Sequence, residues 1–226
     1  MAVNPYYDGP GPTHKARPTV HFSRTELLHL GASVLVLTVA FAFVLRGGLG
    51  FFTPERFEFY WLDYVASFLA VGSGFVLHEL AHKVVAQRYM HWAEFRGWFR
   101  GLLMSLLFAA GLGFLFATPG AVQIWGRVTP RENGVISIAG PATNLLISLI
   151  AMPVPLFADI TKPVPYVLAV VAVVNAVLCV FNLLPFGALD GRKVLRWNLL
   201  AYLGILAAAI AVIAVLVAAN VWVLGG

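Results

Sequence analysis

The sequence predicts an all-α polytopic membrane protein, a helical bundle of five to six spans with a re-entrant segment and a small membrane-associated β element. Three observations lead there. Of 226 residues, 60% are hydrophobic and only 11% are charged, where a soluble domain carries about a quarter. Mean hydropathy is +0.85. Six apolar runs, most of them long enough for a span of about 20 residues, are separated by polar stretches.

Residues 1–24 are polar and rich in Pro and Gly, and they lack the apolar core and small-residue cleavage site of a signal peptide. They read as a tail ahead of one membrane domain at 25–226. The apolar runs follow at 27–46, 63–86, 102–117, 135–158, 166–186 and 198–223. The third is short, carries Gly111 and Gly113 at its centre, and ends in Thr118-Pro119-Gly120, a turn signal. A segment that enters the membrane and returns accommodates those features where protein or a water-filled cavity covers its backbone.

The net charge of +5 and isoelectric point of about 9.6 do not indicate a nucleic-acid partner, because the basic residues fall between apolar runs and form no single aromatic-interleaved patch. Topology explains them better. Were all six runs to cross, the fifteen Lys and Arg would divide eight to seven, which orients nothing. With the third run re-entrant, residues 15, 17, 24, 83, 88, 96, 100, 127, 131, 192, 193 and 196 share one side against 46, 56 and 162 on the other, twelve to three. The basic side is then cytoplasmic, with the N-terminus and the loops after His82 and Asp190.

Between the second and fourth runs, Ala93, Phe95, Gly97 and Phe99 alternate with Trp92, Glu94, Arg96 and Trp98, and Val122 and Ile124 alternate with Gln123 and Trp125. Two readings fit: a small sheet, or an interfacial loop whose Trp and Arg residues anchor at the headgroups. Cys179, the single cysteine, excludes an internal disulfide and reads as a small buried side chain.

Chemistry concentrates near the end of the second run, where Leu77-His78-Glu79-Leu80-Ala81-His82 matches H-E-x-x-H. On a helix His78 and His82 share a face about 6 Å apart along the axis, so both imidazoles reach one zinc ion. Glu79 projects beside that ion, placed to take a proton from a water the zinc has acidified. An ionisable group inside a bilayer costs about 3 kcal/mol or more unless compensated, and metal coordination supplies the compensation. A satisfied polar cluster or a proton pathway is the plainer reading of the same three residues.

A catalytic zinc takes about three protein ligands. The third is sought in Asn182-Leu183-Leu184-Pro185-Phe186-Gly187-Ala188-Leu189-Asp190-Gly191, where Pro185 ends a helix and the glycines let the chain turn Asp190 toward a neighbour. By itself Asp190 reads equally well as a turn aspartate facing water. Asn144 and Asn182 lie in apolar helices, where an amide needs a partner. A helix–helix hydrogen bond serves for Asn144, with contact to substrate as the alternative.

Three blocks in this order resemble the site-2 protease family of intramembrane zinc metalloproteases: His78 to His82, Ala139-Gly140-Pro141-Ala142-Thr143-Asn144, and Asn182 to Gly191. The resemblance covers a core of about residues 63–191. It implies one Zn2+ per chain held by His78, His82 and Asp190, Glu79 as catalytic acid/base, and Asn182 as a polar group near the scissile carbonyl. It also implies a transmembrane protein as substrate, unwound against the strand-like stretch that contains Val122, Gln123 and Ile124. No PDZ-like or CBS-like module accompanies the core, so selection of substrate by one is not expected. The run at 102–117 looks like an addition to the minimal core.

The expected function is hydrolysis of a peptide bond in or near a transmembrane helix, with the lipid bilayer and a membrane-protein substrate as partners. A metal transporter or proton-coupled carrier using the His-Glu-His cluster as a transit site is the alternative. It lacks an inverted repeat or a second polar cluster along a path.

Overall fold

The computed structural model describes residues 20–47, 61–115, 119–221 and 223; most of the expected tail lies outside them. Among the described residues five helices are long and apolar enough to cross a membrane: Arg24–Leu45, Trp61–Arg88, Pro130–Phe157, Pro163–Asn182 and Leu199–Ala218. The chain is a multi-pass membrane protein.

α1 (Arg24–Leu45) starts where the Ser23 side chain accepts from the Glu26 N–H. The second span is two helices, α2 (Trp61–Val71) and α3 (Leu77–Arg88), joined by a π-helical turn at Gly72–Val76. Such turns insert one residue into the ladder and change which side chains face a neighbour. Gly74 sits there because a Cβ would come within 2.8 Å of the Leu178 side chain. Gly74 therefore serves the close packing of this turn on the helix that carries Leu178.

β1 (Trp92–Gly97) and β2 (Gly120–Trp125) pair antiparallel with Trp92 opposite Trp125 and Gly97 opposite Gly120. The sheet reading of this stretch is the one that forms, although it ends at Trp125, and Gly126 turns away with φ +118. Between the strands lies α4 (Phe99–Leu112), ended by Gly113 in the left-handed conformation. The Trp98 N–H donates to the Pro119 carbonyl at 2.8 Å and closes the neck of the excursion. The two ends of the excursion thus meet at one place; residues 116 and 117, the end of the expected re-entrant run, lie outside the described residues. α4 packs along α1, with Ala40, Val44 and Ala109 buried between them.

α5 (Pro130–Ala151) begins at a capping box between Thr129 and Glu132, five residues ahead of the apolar run. Pro153 starts the short α6 (Pro153–Phe157). α7 (Pro163–Asn182) ends before Pro185, which has no N–H to continue a helix. α8 (Asp190–Trp197) and α9 (Leu199–Ala218) are the last helices among the described residues. The main core gathers α1, α2, α5, α7 and α9 around Val170 to Val174. At one end Asp63 accepts from Arg46 and, at 2.6 Å, from the Tyr166 hydroxyl, tying α1, α2 and α7 together.

Candidate metal centre

α3 places His78 and His82 on the face that packs against α5, both nearly buried. Their outer nitrogens are already committed. His82 Nδ1–H donates to the Ile136 carbonyl at 2.7 Å, and His78 Nδ1–H donates to the Asn144 side-chain carbonyl. Each bond fixes the tautomer and points Nε2 inward. The two Nε2 atoms lie 2.9 Å apart.

The break after α7 delivers Asp190 to the same point, with Oδ2 at 3.0 Å from His82 Nε2 and 3.4 Å from His78 Nε2. Gly191 permits this approach, since a Cβ there would stand 2.0 Å from the Leu183 carbonyl oxygen. Burial disfavours charge on Asp190, but His82, His78 and Lys193 outweigh it and hold the carboxyl well below the usual carboxylate range.

These three residues are the metal-binding combination found among the described residues, all buried and with ligand atoms close together. Two imidazoles and one carboxylate are donors zinc prefers, and three protein donors leave a position open. Gly140 strengthens the fit. A Cβ on it would fall 2.5 Å from both Nε2 atoms, so the backbone of α5 leaves free the space that the metal-facing nitrogens occupy. That gives a physical reason for the Gly140-Pro141 block.

Glu79 turns to the side of this cluster, where its Oε2 accepts from the Val122 N–H at 3.0 Å. The edge of β2 is therefore within a hydrogen bond of the Glu79 carboxylate. Val122 and Phe95 form a pair whose N–H groups point out of the sheet, and Phe95 N–H donates to Glu26 at 2.9 Å. Gly97 N–H donates to His29 Nδ1 at 3.2 Å. α1 thus caps the outer edge of β1, while the outer edge of β2 faces the cavity.

A cavity of about 1450 Å3 joins these groups, lined by His78, Glu79, His82, Asp190, Asn182, Val122, Gln123 and Ile124, and it continues along α1 to Leu37, Phe41 and Val44. Asn182 donates to the Leu178 carbonyl at 3.0 Å within its own helix. Asn144 does not line the cavity and has no exposed surface. A contact with substrate, the alternative reading from sequence, is replaced by a supporting one. Its amide accepts from His78 and donates to the Gly74 carbonyl at 2.8 Å and to Asn175 at 3.0 Å.

Sequence reasoning missed three contributors. Asn175, buried in α7, bridges Asn144 to Ser73 on the π-helical turn; an amide amid valines was the same signal that drew attention to Asn144 and Asn182. Glu26 is fully buried and paired with the equally buried Lys83, next to a metal-facing histidine. It escaped notice because it sits one residue ahead of the first apolar run. The third, Lys193, lies 3.2 Å from Asp190 Oδ1.

Relatives carry the same chemistry in their names. A protein of Methanocaldococcus jannaschii provisionally named a zinc metalloprotease is 37% identical over 181 residues, covering 78% of this chain and 86% of the relative. The chain belongs to the site-2 protease family of zinc metalloproteases. A provisionally named zinc metalloprotease of Mycolicibacterium smegmatis is 30% identical over 159 residues, 61% of this chain and 60% of the relative. A second M. jannaschii protein, named zinc metalloprotease, is 30% identical over 122 residues, 54% of this chain and 30% of its own length. No family model and no solved structure matches the chain. A membrane-embedded zinc metalloprotease of this family is what the homologues and the His-His-Asp cluster support together.

Proposed function

We propose that this protein cleaves a peptide bond in or near a transmembrane helix of a membrane-protein substrate, with its N-terminus and active site toward the cytoplasm. One observation carries the reading. The His-His-Asp cluster, Glu79 and an open strand edge share a cavity inside the membrane-spanning bundle, and along α1 from His29 to Val44 its lining extends about 22 Å. That is most of a hydrocarbon core of about 30 Å.

In this reading His78, His82 and Asp190 hold the zinc, which when bound polarises the scissile carbonyl and acidifies water at neutral pH. Glu79 takes the proton of the attacking water and hands it to the leaving amine. Asn182, on the cavity wall, stabilises the oxyanion with an amide N–H. A helical substrate hides its carbonyls in its own ladder, so it unwinds and adds to the outer edge of β2, where Ile124 directs its backbone N–H outward beside the Val122 N–H that Glu79 holds. Strand addition satisfies the exposed amides, each of which otherwise costs several kcal/mol in lipid.

Glu79→Gln tests the reading, because the amide keeps the shape and cannot accept the proton. The variant is expected to keep zinc and to lose cleavage of a transmembrane reporter; robust cleavage would overturn it. The orientation rests on the twelve-to-three distribution of Lys and Arg, together with the closed neck of the α4 excursion. Cysteines placed at Arg96 and Arg131 are expected to label from the cytoplasmic side, and labelling from opposite sides would refute it.

A further inference from the structure

We propose that Lys193 is a positioning residue that dictates which oxygen of Asp190 faces the metal. This inference rests on the ligand set of the preceding section. The two carboxylate oxygens have different partners: Oδ2 lies 3.0 Å and 3.4 Å from the two imidazole nitrogens, while Oδ1 lies 3.2 Å from Lys193 Nζ. Asp190 and Lys193 are three residues apart on α8, so they share a helix face.

The backbone beneath them has little freedom. Gly191 is pressed on the Leu183 carbonyl, and Val194 is fully buried against Cys179 and Leu183. What stays free is rotation of the Asp190 carboxylate about its own bonds. Without a partner for Oδ1, that rotation brings both oxygens toward the imidazole pair. Lys193 opposes it by holding Oδ1 away, which preserves one oxygen as ligand and a position open for water and substrate.

An exposed ion pair three residues apart contributes little as a rule. This one differs because the Asp190 side chain is 11% exposed and its other oxygen is committed. Lys193 lines the same cavity and its side chain is 38% exposed, so its replacement leaves the core intact.

The test uses the full chain in detergent, loaded with cobalt as a spectroscopic stand-in for zinc, and compares wild type with Lys193→Met, Lys193→Gln, Lys193→Arg and Asp190→Ala. Four-coordinate cobalt absorbs more strongly in the visible than five- or six-coordinate cobalt. The Met and Gln variants are expected to show weakened bands and to lose metal to a chelator about tenfold faster or more, the usual effect of removing a partner of a ligand. Arg is expected to restore both, since a guanidinium also reaches Oδ1. Wild-type bands and wild-type retention in both the Met and the Gln variant would overturn the proposal while leaving the ligand set untouched. Unchanged bands and retention in Asp190→Ala would instead remove Asp190 from the ligands, and this proposal with it.

Discussion

Replacing Gly140 by alanine adds one methyl group at the place where two metal ligands meet. The new carbon would lie 2.5 Å from His78 Nε2 and from His82 Nε2, and 2.6 Å from His78 Cε1. Real Cβ contacts essentially never fall below 3.0 Å, so each ring must retreat by at least 0.5 Å, the difference between 3.0 and 2.5 Å. Neither ring retreats freely, because His82 is held by the Ile136 carbonyl and His78 by Asn144. Metal–ligand distances tolerate about 0.2 Å. Displacing two ligands should exceed the 10–100-fold cost of losing one supporting partner, so a loss of at least about a hundredfold in zinc affinity is expected, or ~2.7 kcal/mol. The assay is zinc per folded protein after purification, with Gly31→Ala as control because nothing stands within 4 Å of a Cβ there. Stoichiometric zinc and normal cleavage in Gly140→Ala would refute the placement of the metal between α3, α5 and Asp190.

Two further outcomes are expected. Ile124→Pro removes an outward-facing N–H from the edge of β2 and should lower reporter cleavage about tenfold with zinc retained, whereas Gln123→Pro removes an N–H directed at β1 and should disrupt the sheet itself; equal cleavage by Ile124→Pro and Ile124→Ala would rule out strand addition at this edge. Glu26→Leu leaves Lys83 charged and buried without its partner and should destabilise the fold by about 3–5 kcal/mol, with much of that recovered in Glu26→Leu/Lys83→Leu; thermal unfolding that ranks the double variant below the single one would contradict this.

The amino-acid order by itself determined the membrane class, the apolar spans and the pairing of His78 with His82 on one helix face, because each depends on short-range pattern. A run of apolar residues must cross or be covered, and His at four-residue spacing on a helix must share a face. The end of α7 at Asn182 follows from the nearby Pro185 in the same way. That the third apolar run forms a helix shorter than a span was visible from its length and its glycines.

What only the tertiary structure decided depends on contacts between distant segments. Whether Asp190 met the histidines or faced water was open in sequence, since a turn aspartate looks the same in both cases; the close seat of Gly191 on Leu183 settled where it goes. For Asn144 the helix–helix hydrogen bond read from sequence is the one that forms, but its partners, His78, the Gly74 carbonyl and Asn175, are known only from the packing of α5 against α3 and α7. The strand pattern did not say which N–H groups of β2 point outward, because alternation fixes side-chain faces while hydrogen-bond direction follows from register with β1. Glu26 was least legible of all. A carboxylate at the mouth of a helix is ordinary in sequence, and only packing of α1 against α3 and β1 buries it between Lys83 and the Phe95 N–H.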